Sequence, residues 1–245
     1  MEHITSLKNP KVAAWKALKD RKGRRESGCF LVEGRKMVEE ALASAFDVET
    51  VLVQEGMELP DGLTMPVYEL PEHVLAAVCD TKTPQGIAAV VRMKEQSALG
   101  KHIVVLDGVQ DPGNVGTILR TLDAFEADGL VLLPGCADPF SPKTVRSSMG
   151  AVFRRPVWTC TAETFAQVLR GSGLRLLGAA LRDDTVDARA ADYTRAVLAI
   201  GSEGRGLSEE VLALCDETVR IPMSPRCESL NAAVAASVLL WEAYR

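Results

Sequence analysis

The chain has 245 residues, 47% of them hydrophobic and 25% charged, a composition typical of a globular protein with room for two domains. No apolar run reaches the roughly 18 residues of a membrane span. The N-terminus lacks a signal-peptide pattern, so the sequence predicts a cytoplasmic protein without a membrane partner. The net charge is −5, which taken alone disfavours a nucleic-acid partner.

The charge is unevenly distributed along the chain. The segment from Lys8 to Arg25 contains eight lysines and arginines and one acid, Asp20, so it carries +7. The remainder must then carry −12 to give the total of −5. Such asymmetry indicates a phosphate-rich partner, although a solvated helix face would have the same pattern.

The cysteines and histidines exclude some kinds of site. The six cysteines form no C-x-x-C pair, and the three histidines are far apart in the sequence. The pattern therefore predicts neither a zinc site nor a disulfide framework, but reduced, buried thiols.

The first half of the chain alternates helix and strand patterns. Asn9 and Pro10 predict the start of a helix that continues through apolar residues at helical spacing and ends near Gly23. A further helix is predicted at 36–45, and strands are predicted at 29–32, 51–53, 67–68 and 87–91. The polar stretch 94–101 has no periodicity and predicts a domain boundary, which gives domains 1–97 and 102–245.

The second half repeats the alternation. Its predicted strands are 103–106, 129–133, 174–180, 196–200 and 218–221. Its predicted helices are 115–125, 143–149, 163–169, one that opens at 208–210, and 231–244. Short apolar strands alternating with helices predict an α/β fold with a parallel sheet covered on both faces.

A loop rich in glycine follows the first strand of the second half. Its glycines, Gly108, Gly113 and Gly116, fit neither the dinucleotide fingerprint nor a P-loop. Asn114 and Arg120 are its candidate polar side chains. They are six residues apart and so do not share a helix face in the i, i+4 sense. A surface arginine with no further role would fit the same pattern.

Two further loops also follow apolar strands. Residues 201–206 contain three glycines and present Glu203 from a tight turn, although a plain strand-to-helix connection would look similar. Residues 221–231 place Ser229 and Asn231 before a helix, where capping alone would explain either residue. In open α/β sheets, ligands bind at the carboxyl ends of strands, and all three loops are predicted there.

These loops carry a resemblance to a known family. The strings DPGNVGTILR, GSEGRGL and IPM followed by ESLNAAVA resemble the three signature motifs of the SpoU (TrmH-like) family of SPOUT RNA ribose 2′-O-methyltransferases, in order and spacing. The motifs lie between residues 107 and 235. The string FLVEGRKMVEEA, preceded by the basic helix, is similar to the ribosomal-protein-like substrate-binding domain of some members.

The resemblance implies a parallel α/β catalytic domain with a deep trefoil knot, a smaller α/β RNA-binding domain, a homodimer and no metal. It implies S-adenosylmethionine as the cofactor, held by Gly201, Ile221, Met223, Ser229 and Leu230. The matching functional polar residues are Asn114, Arg120, Glu203 and Asn231. We expect RNA to be bound through Lys22, Arg24, Arg25 and Arg35. The expected substrate is ribosomal RNA, with transfer RNA as the alternative.

Transfer of a methyl group to a ribose hydroxyl requires alignment of donor and acceptor and removal of a proton. The family assigns the base to the arginine that matches Arg120, but a guanidinium normally stays protonated. Arg120 could instead bind the adjacent phosphate, and that phosphate or Glu203 could then be involved in proton removal.

A non-catalytic RNA-binding protein of the same fold would have lost residues of the three motifs, and no such loss is found among the named positions. A nicotinamide-dependent enzyme would need a glycine fingerprint that is missing.

Overall fold

The computed structural model of the chain describes residues 1–94, 100–182, 184–227 and 229–244. These residues form two compact units. The first comprises Met1–Lys94 and Asp138–Phe153, and the second comprises the rest of the described chain. The predicted end of the first domain, residue 97, lies outside the described residues, and the division at 97 and 102 stays a prediction. The structure adds that residues 138–153 group with the first unit.

Strands and helices alternate along most of the chain. The strands are β1 (Glu2–His3), β2 (Cys29–Glu33), β3 (Val48–Gln54), β4 (Val67–Leu70), β5 (Ile87–Arg92), β6 (Ile103–Asp107), β7 (Gly129–Leu132), β8 (Val157–Thr159), β9 (Arg175–Ala179), β10 (Val186–Asp187), β11 (Ala196–Gly201) and β12 (Glu217–Arg220). The helices are α1 (Pro10–Ala17), α2 (Arg21–Ser27), α3 (Arg35–Leu42), α4 (Glu72–Val78), α5 (Pro112–Ala124), α6 (Pro142–Ser148), α7 (Ala151–Arg154), α8 (Ala162–Ser172), α9 (Glu209–Leu212) and α10 (Ala232–Tyr244).

The first unit is built on a mixed sheet with the strand order β1-β4-β3-β5-β2. Strand β5 runs antiparallel to both β2 and β3, whereas β4 is parallel to β1 and β3. Its core joins the apolar residues of α1 and α4 to one face of the sheet, and Val12, Trp15 and Leu75 are all buried there. The apolar spacing in the basic segment therefore serves to attach that segment to the sheet.

The basic segment forms two helices rather than one. Asn9 caps α1 by accepting a hydrogen bond from the Lys11 N–H at 2.8 Å, as predicted, but α1 ends at Ala17. Gly23 lies inside α2, so the prediction that it ends the helix was wrong. A Cβ atom at Gly23 would lie 2.1 Å from the Ala17 carbonyl oxygen, so this glycine permits close packing of the two helices. The residue that ends α2 is Gly28, in the left-handed conformation with φ 70°.

Residues 138–153 belong to the first unit through aromatic packing and a buried ion pair. The Phe30 ring lies 4.8 Å from Phe140 and 6.2 Å from Phe153, measured between centroids. The Arg24 guanidinium donates to Asp138 Oδ2 from Nε at 3.0 Å and from Nη2 at 2.7 Å. Its Nη1 donates to the backbone carbonyls of Leu18 and Lys19 at 2.8 and 2.7 Å. This arginine therefore joins the end of α1, the start of α2 and residues 138–153.

The second unit contains an all-parallel sheet in the order β10-β12-β9-β11-β6-β7-β8, which confirms the predicted α/β fold class. Strands β6, β7 and β11 are almost entirely buried, as expected when helices cover both faces of a sheet. Two strands of this sheet, β8 and β10, were not predicted from the sequence, and they are three and two residues long. Segments of that length carry too few residues to show a periodicity.

The cysteines are all free thiols. Burial raises the pKa of Cys29 to about 11 and that of Cys79 to about 12. Cys136, Cys160 and Cys215 are partly buried and Cys227 is exposed, so the expectation of buried thiols holds fully only at Cys29 and Cys79. In the described residues, no helix combines the length and apolarity that crossing a membrane requires.

We predict that Arg24→Ala lowers the free energy of unfolding by about 3 kcal/mol, because it leaves the Asp138 carboxylate, whose side chain is only 16% exposed, without its partner. The neighbouring Arg25→Ala is the matched control. Arg25 is exposed, and its loss should change stability by less than about 0.5 kcal/mol. Urea-induced unfolding of both variants measures the difference. Equal stability of the two variants would contradict the structural role of Arg24.

Candidate active site

A cavity of about 560 Å³ lies where strands β9, β11 and β12 end, at the carboxyl edge of the parallel sheet. Its volume falls within the range of small-molecule sites, about 300–1,000 Å³. The five residues predicted to hold a cofactor all line this cavity: Gly201, Ile221, Met223, Ser229 and Leu230. They come from two separate loops, 201–206 and 221–231, which the sheet brings together.

The loop 201–206 is a tight turn stabilised by its own backbone. Ser202 and Gly206 exchange two hydrogen bonds, from the Ser202 N–H at 3.1 Å and from the Gly206 N–H at 2.9 Å. Gly206 has φ 67°, a conformation that favours glycine. A Cβ atom at Gly201 would lie 2.1 Å from the Gly206 carbonyl carbon, so a side chain at 201 cannot fit without moving the loop. The turn thus presents residues 203–205 at its tip.

The glycine-rich loop after β6 leads directly into α5. Asp111 caps this helix, accepting hydrogen bonds from the Gly113 N–H at 2.6 Å and the Asn114 N–H at 3.1 Å. Pro112 occupies the first helical position, where its missing N–H costs nothing. The string D-P-G-N therefore starts a helix and fixes Asn114 in its first turn.

Side chains from the three loops form one hydrogen-bond chain. Asn231 caps α10, because its Oδ1 accepts from the Ala233 N–H at 2.9 Å and the Val234 N–H at 3.3 Å. Its Nδ2 remains free to donate to Asn114 Oδ1 at 3.1 Å. The Asn114 Nδ2 in turn donates to the carboxylate of Glu203. Asn231 therefore both caps α10 and takes part in the candidate site.

Arg120 is not part of this chain. It lies in α5, six residues beyond Asn114, and its side chain is exposed. It makes no hydrogen bond or ion pair within the part of the chain that the structure describes. Of the four residues predicted to act on the substrate, the structure thus connects Asn114, Glu203 and Asn231 and leaves the Arg120 guanidinium open to a ligand.

The residues predicted to bind RNA differ in their surroundings. Lys22 and Arg25 are exposed in α2, and Lys22 lies 3.8 Å from the Glu26 carboxylate. Arg35 is partly buried and donates to the backbone carbonyl of Glu58. Arg24 is only 3% exposed and all its donor nitrogens are engaged within the first unit, so the prediction that it contacts RNA is corrected.

Charged residues that the sequence analysis did not select also line the cavity. They are Arg182, Arg205, Glu209 and Arg220. Arg205 was detectable, because it stands two residues from Glu203 in the same loop. Arg182 follows β9, Arg220 is the last residue of β12 and Glu209 begins α9, and no distinctive sequence pattern marks these three. Among the described residues, no group of three or more histidine, cysteine, aspartate or glutamate side chains could hold a metal ion.

A shallow groove lies beside the hydrogen-bond chain, between α5 and α10. It has a volume of about 440 Å³ and is mostly apolar. Asn114 and Asn231 form one part of its wall, and Val234 and Trp241 form another. Val234 is 49% exposed and Trp241 is 58% exposed, so the groove leaves apolar surface open to solvent.

Comparison with known proteins identifies the family. The SpoU rRNA methylase family matches residues 101–241, more than half of the chain, and the MRM3-like substrate binding domain matches residues 9–89. The chain therefore belongs to the SpoU rRNA methylase family, which confirms the resemblance found in the three motifs.

Individual relatives match along the whole chain. The chain is 38% identical to the 23S rRNA (guanosine(2553)-2′-O)-methyltransferase RlmP of Bacillus subtilis, covering 98% of both chains. It is 32% identical to the 23S rRNA (uridine(2479)-2′-O)-methyltransferase of Streptomyces viridochromogenes, with 99% and 91% covered. The structure of an AdoMet-bound rRNA methyltransferase from Sinorhizobium meliloti aligns with a TM-score of 0.90 at 33% identity, with 99% and 97% covered.

Proposed function

We propose that this protein is an S-adenosylmethionine-dependent methyltransferase that modifies a ribose 2′-hydroxyl of ribosomal RNA. The observation that carries the proposal is the hydrogen-bond chain from Asn231 through Asn114 to Glu203, beside a cavity at the carboxyl edge of the sheet. The relatives named above act on 23S rRNA at a 2′-oxygen, and they match almost the whole chain.

The cavity fits S-adenosylmethionine in size and in chemistry. Ile200, Ile221 and Leu230 supply apolar surface for a purine ring, and the glycine loop exposes backbone groups for hydrogen bonds. Glu203 adds a negative charge suited to a positively charged sulfonium ligand. Gly201, Ile221, Met223, Ser229 and Leu230 are the residues that we propose hold the cofactor.

The side chains of this protein have two tasks in the reaction. S-adenosylmethionine supplies a methyl group attached to a positively charged sulfur. The ribose hydroxyl must lose its proton, and we assign that proton to the Glu203 carboxylate, which Asn114 holds in place. Arg120 stays protonated, and its positive charge binds the neighbouring RNA phosphate. This contact orients the hydroxyl. Asn231 positions Asn114 and does not itself react.

The first unit supplies affinity for RNA in this proposal. Lys22 and Arg25 lie exposed on α2, and Arg35 opens α3. Cations of this kind attract the phosphate backbone without reading sequence. Because the buried Arg24 is excluded from this set, the proposed phosphate contacts are Lys22, Arg25 and Arg35. We place the protein in the cytoplasm, as expected for an enzyme acting on ribosomal RNA.

The same proposal includes a homodimer and the trefoil knot of the family. A second copy that covers the groove would bury Val234 and Trp241 and would lie next to Asn114 and Asn231.

The proposed knot is consistent with the order of strands in the parallel sheet. Helix α10 packs on α5 and β11, whereas β12, which precedes it, lies beyond β9. The chain therefore returns across β9 between these two elements.

We predict that Gly201→Ala weakens binding of S-adenosylhomocysteine by about tenfold or more, because the new Cβ displaces the loop from the cavity. Gly204→Ala is the control in the same loop, since a Cβ there meets no atom within 4 Å. Its affinity should change by less than about twofold. Titration calorimetry measures both variants after thermal unfolding has shown that they are folded. Unchanged binding by Gly201→Ala would contradict the placement of the cofactor.

A further prediction concerns the substrate. RNA purified from cells that lack this protein should accept a methyl group on one ribose of 23S rRNA when the protein and labelled S-adenosylmethionine are added. Mapping of the labelled nucleotide identifies the position. Label on transfer RNA instead of ribosomal RNA would overturn the assignment of the substrate, and absence of label on any RNA would overturn the reaction.

The same assay tests Arg120. In single turnover with saturating RNA and cofactor, Arg120→Ala should reduce methyl transfer roughly 100-fold, because it removes an interaction made with the reacting substrate. Binding of S-adenosylhomocysteine should stay unchanged. A near-normal rate would mean that Arg120 has no role in the reaction, and Glu203→Gln would then be the variant to measure.

Another prediction concerns assembly. Val234→Asp should weaken the dimer by about 100-fold or more, because the new carboxylate would be buried without a partner. Val168→Asp is the control, since Val168 is also an exposed valine on a helix of the same unit but lies outside the groove. Sedimentation velocity across a concentration series measures both. A wild-type protein that is monomeric at micromolar concentration would contradict the dimer.

A further inference from the structure

The wall of the cavity carries positively charged residues to which the proposed reaction assigns no role. Three arginines line it: Arg182, Arg205 and Arg220. Two of them face acids. Arg182 Nε donates to Asp184 Oδ1 at 3.4 Å, and Arg220 lies opposite Asp187 in the pairing of β10 with β12. The pKa of Asp187 is lowered to about 2, mainly by its hydrogen bonds with Arg189 and also by the charge of Arg220.

Arg205 differs from the other two. Its guanidinium makes no hydrogen bond or ion pair with any residue that the structure describes. Its backbone is held firmly, because its N–H donates to Ser202 Oγ at 3.3 Å and the turn is closed by the Ser202–Gly206 pair. The loop therefore fixes the Cα of Arg205 at the cavity and leaves its five N–H donors available.

The cavity is accordingly mixed in character. Ile221, Leu230 and Leu239 give it an apolar part, and Arg205 adds a cation that has no partner among the described residues. A guanidinium pairs best with a planar carboxylate or a phosphate, through two parallel hydrogen bonds. A ligand that combines an apolar ring with one carboxylate would satisfy both parts of the wall.

We propose that Arg205 binds the carboxylate of the amino-acid portion of the methyl donor. The inference rests on the proposed function, which places S-adenosylmethionine in this cavity. An RNA phosphate is the competing anion. The carboxylate is favoured because Arg205 lines the cavity with Gly201 and Ile221 and does not line the groove formed by Asn114 and Asn231. Arg205 is thus a binding residue for the cofactor, two positions from Glu203.

Two ligands separate this contact from the rest of the site. S-adenosylhomocysteine carries the amino-acid portion, whereas 5′-methylthioadenosine keeps the adenosine and the sulfur but lacks the carboxylate. Titration calorimetry with wild-type protein and Arg205→Ala should show about a tenfold loss for S-adenosylhomocysteine and less than about a twofold change for 5′-methylthioadenosine. Arg205→Lys should fall between, because lysine keeps the charge but lacks the planar fork.

Arg220→Ala provides the matched control, since it removes another arginine from the same wall. It should not discriminate between the two ligands. An equal loss of both ligands in Arg205→Ala, or no loss of either, would overturn the inference. So would weaker RNA binding by Arg205→Ala with unchanged S-adenosylhomocysteine affinity, which would assign Arg205 to RNA. Failure of the wild-type protein to bind either ligand would instead contradict the proposed function itself.

Discussion

The organisation of the site depends on the side-chain amide of Asn231, whose oxygen and nitrogen make different hydrogen bonds. Its oxygen accepts from the first turn of α10, and its nitrogen donates to Asn114. Asn114 in turn donates a hydrogen bond from its Nδ2 to the Glu203 carboxylate on the neighbouring loop. Three segments far apart in sequence are thereby held together by two hydrogen bonds between side chains. A serine or aspartate would also cap the helix, but only asparagine combines a capping oxygen with a donor nitrogen.

This arrangement requires the loop that carries Glu203 to be rigid. The backbone pair between Ser202 and Gly206 supplies that rigidity, and the absence of a side chain at Gly201 allows the two arms of the turn to approach. The same turn sets the position of Arg205 at the cavity. One short loop therefore places the Glu203 carboxylate in the hydrogen-bond chain and the Arg205 cation at the cavity proposed for the cofactor, which a flexible connection could not do.

Arg24 shows how charge in a sequence can mislead. Its position in a run of cations suggested contact with RNA, but the structure uses it to hold residues 138–153 to the first unit through Asp138. Its partner is more than one hundred residues away in sequence, so no local pattern could reveal the pair. Neighbouring Arg25 has the same composition around it and is exposed. Burial separates the two, and burial follows from tertiary packing.

The sequence by itself determined the parallel α/β fold of the second half, because its buried strands are continuous apolar runs and its turns are marked by glycine and proline. It also selected Asn114, Glu203 and Asn231, since each follows a strand in a distinctive loop. It did not predict β10 or the two-helix form of the basic segment, where a two-residue strand and a tight packing contact at Gly23 leave no periodic signal. Only the tertiary structure decided that the three polar residues connect, that Arg24 is internal and that Arg205 lies at the cavity with no partner in the described part of the chain. Each of these depends on distances between segments, which the order of residues along a chain does not specify.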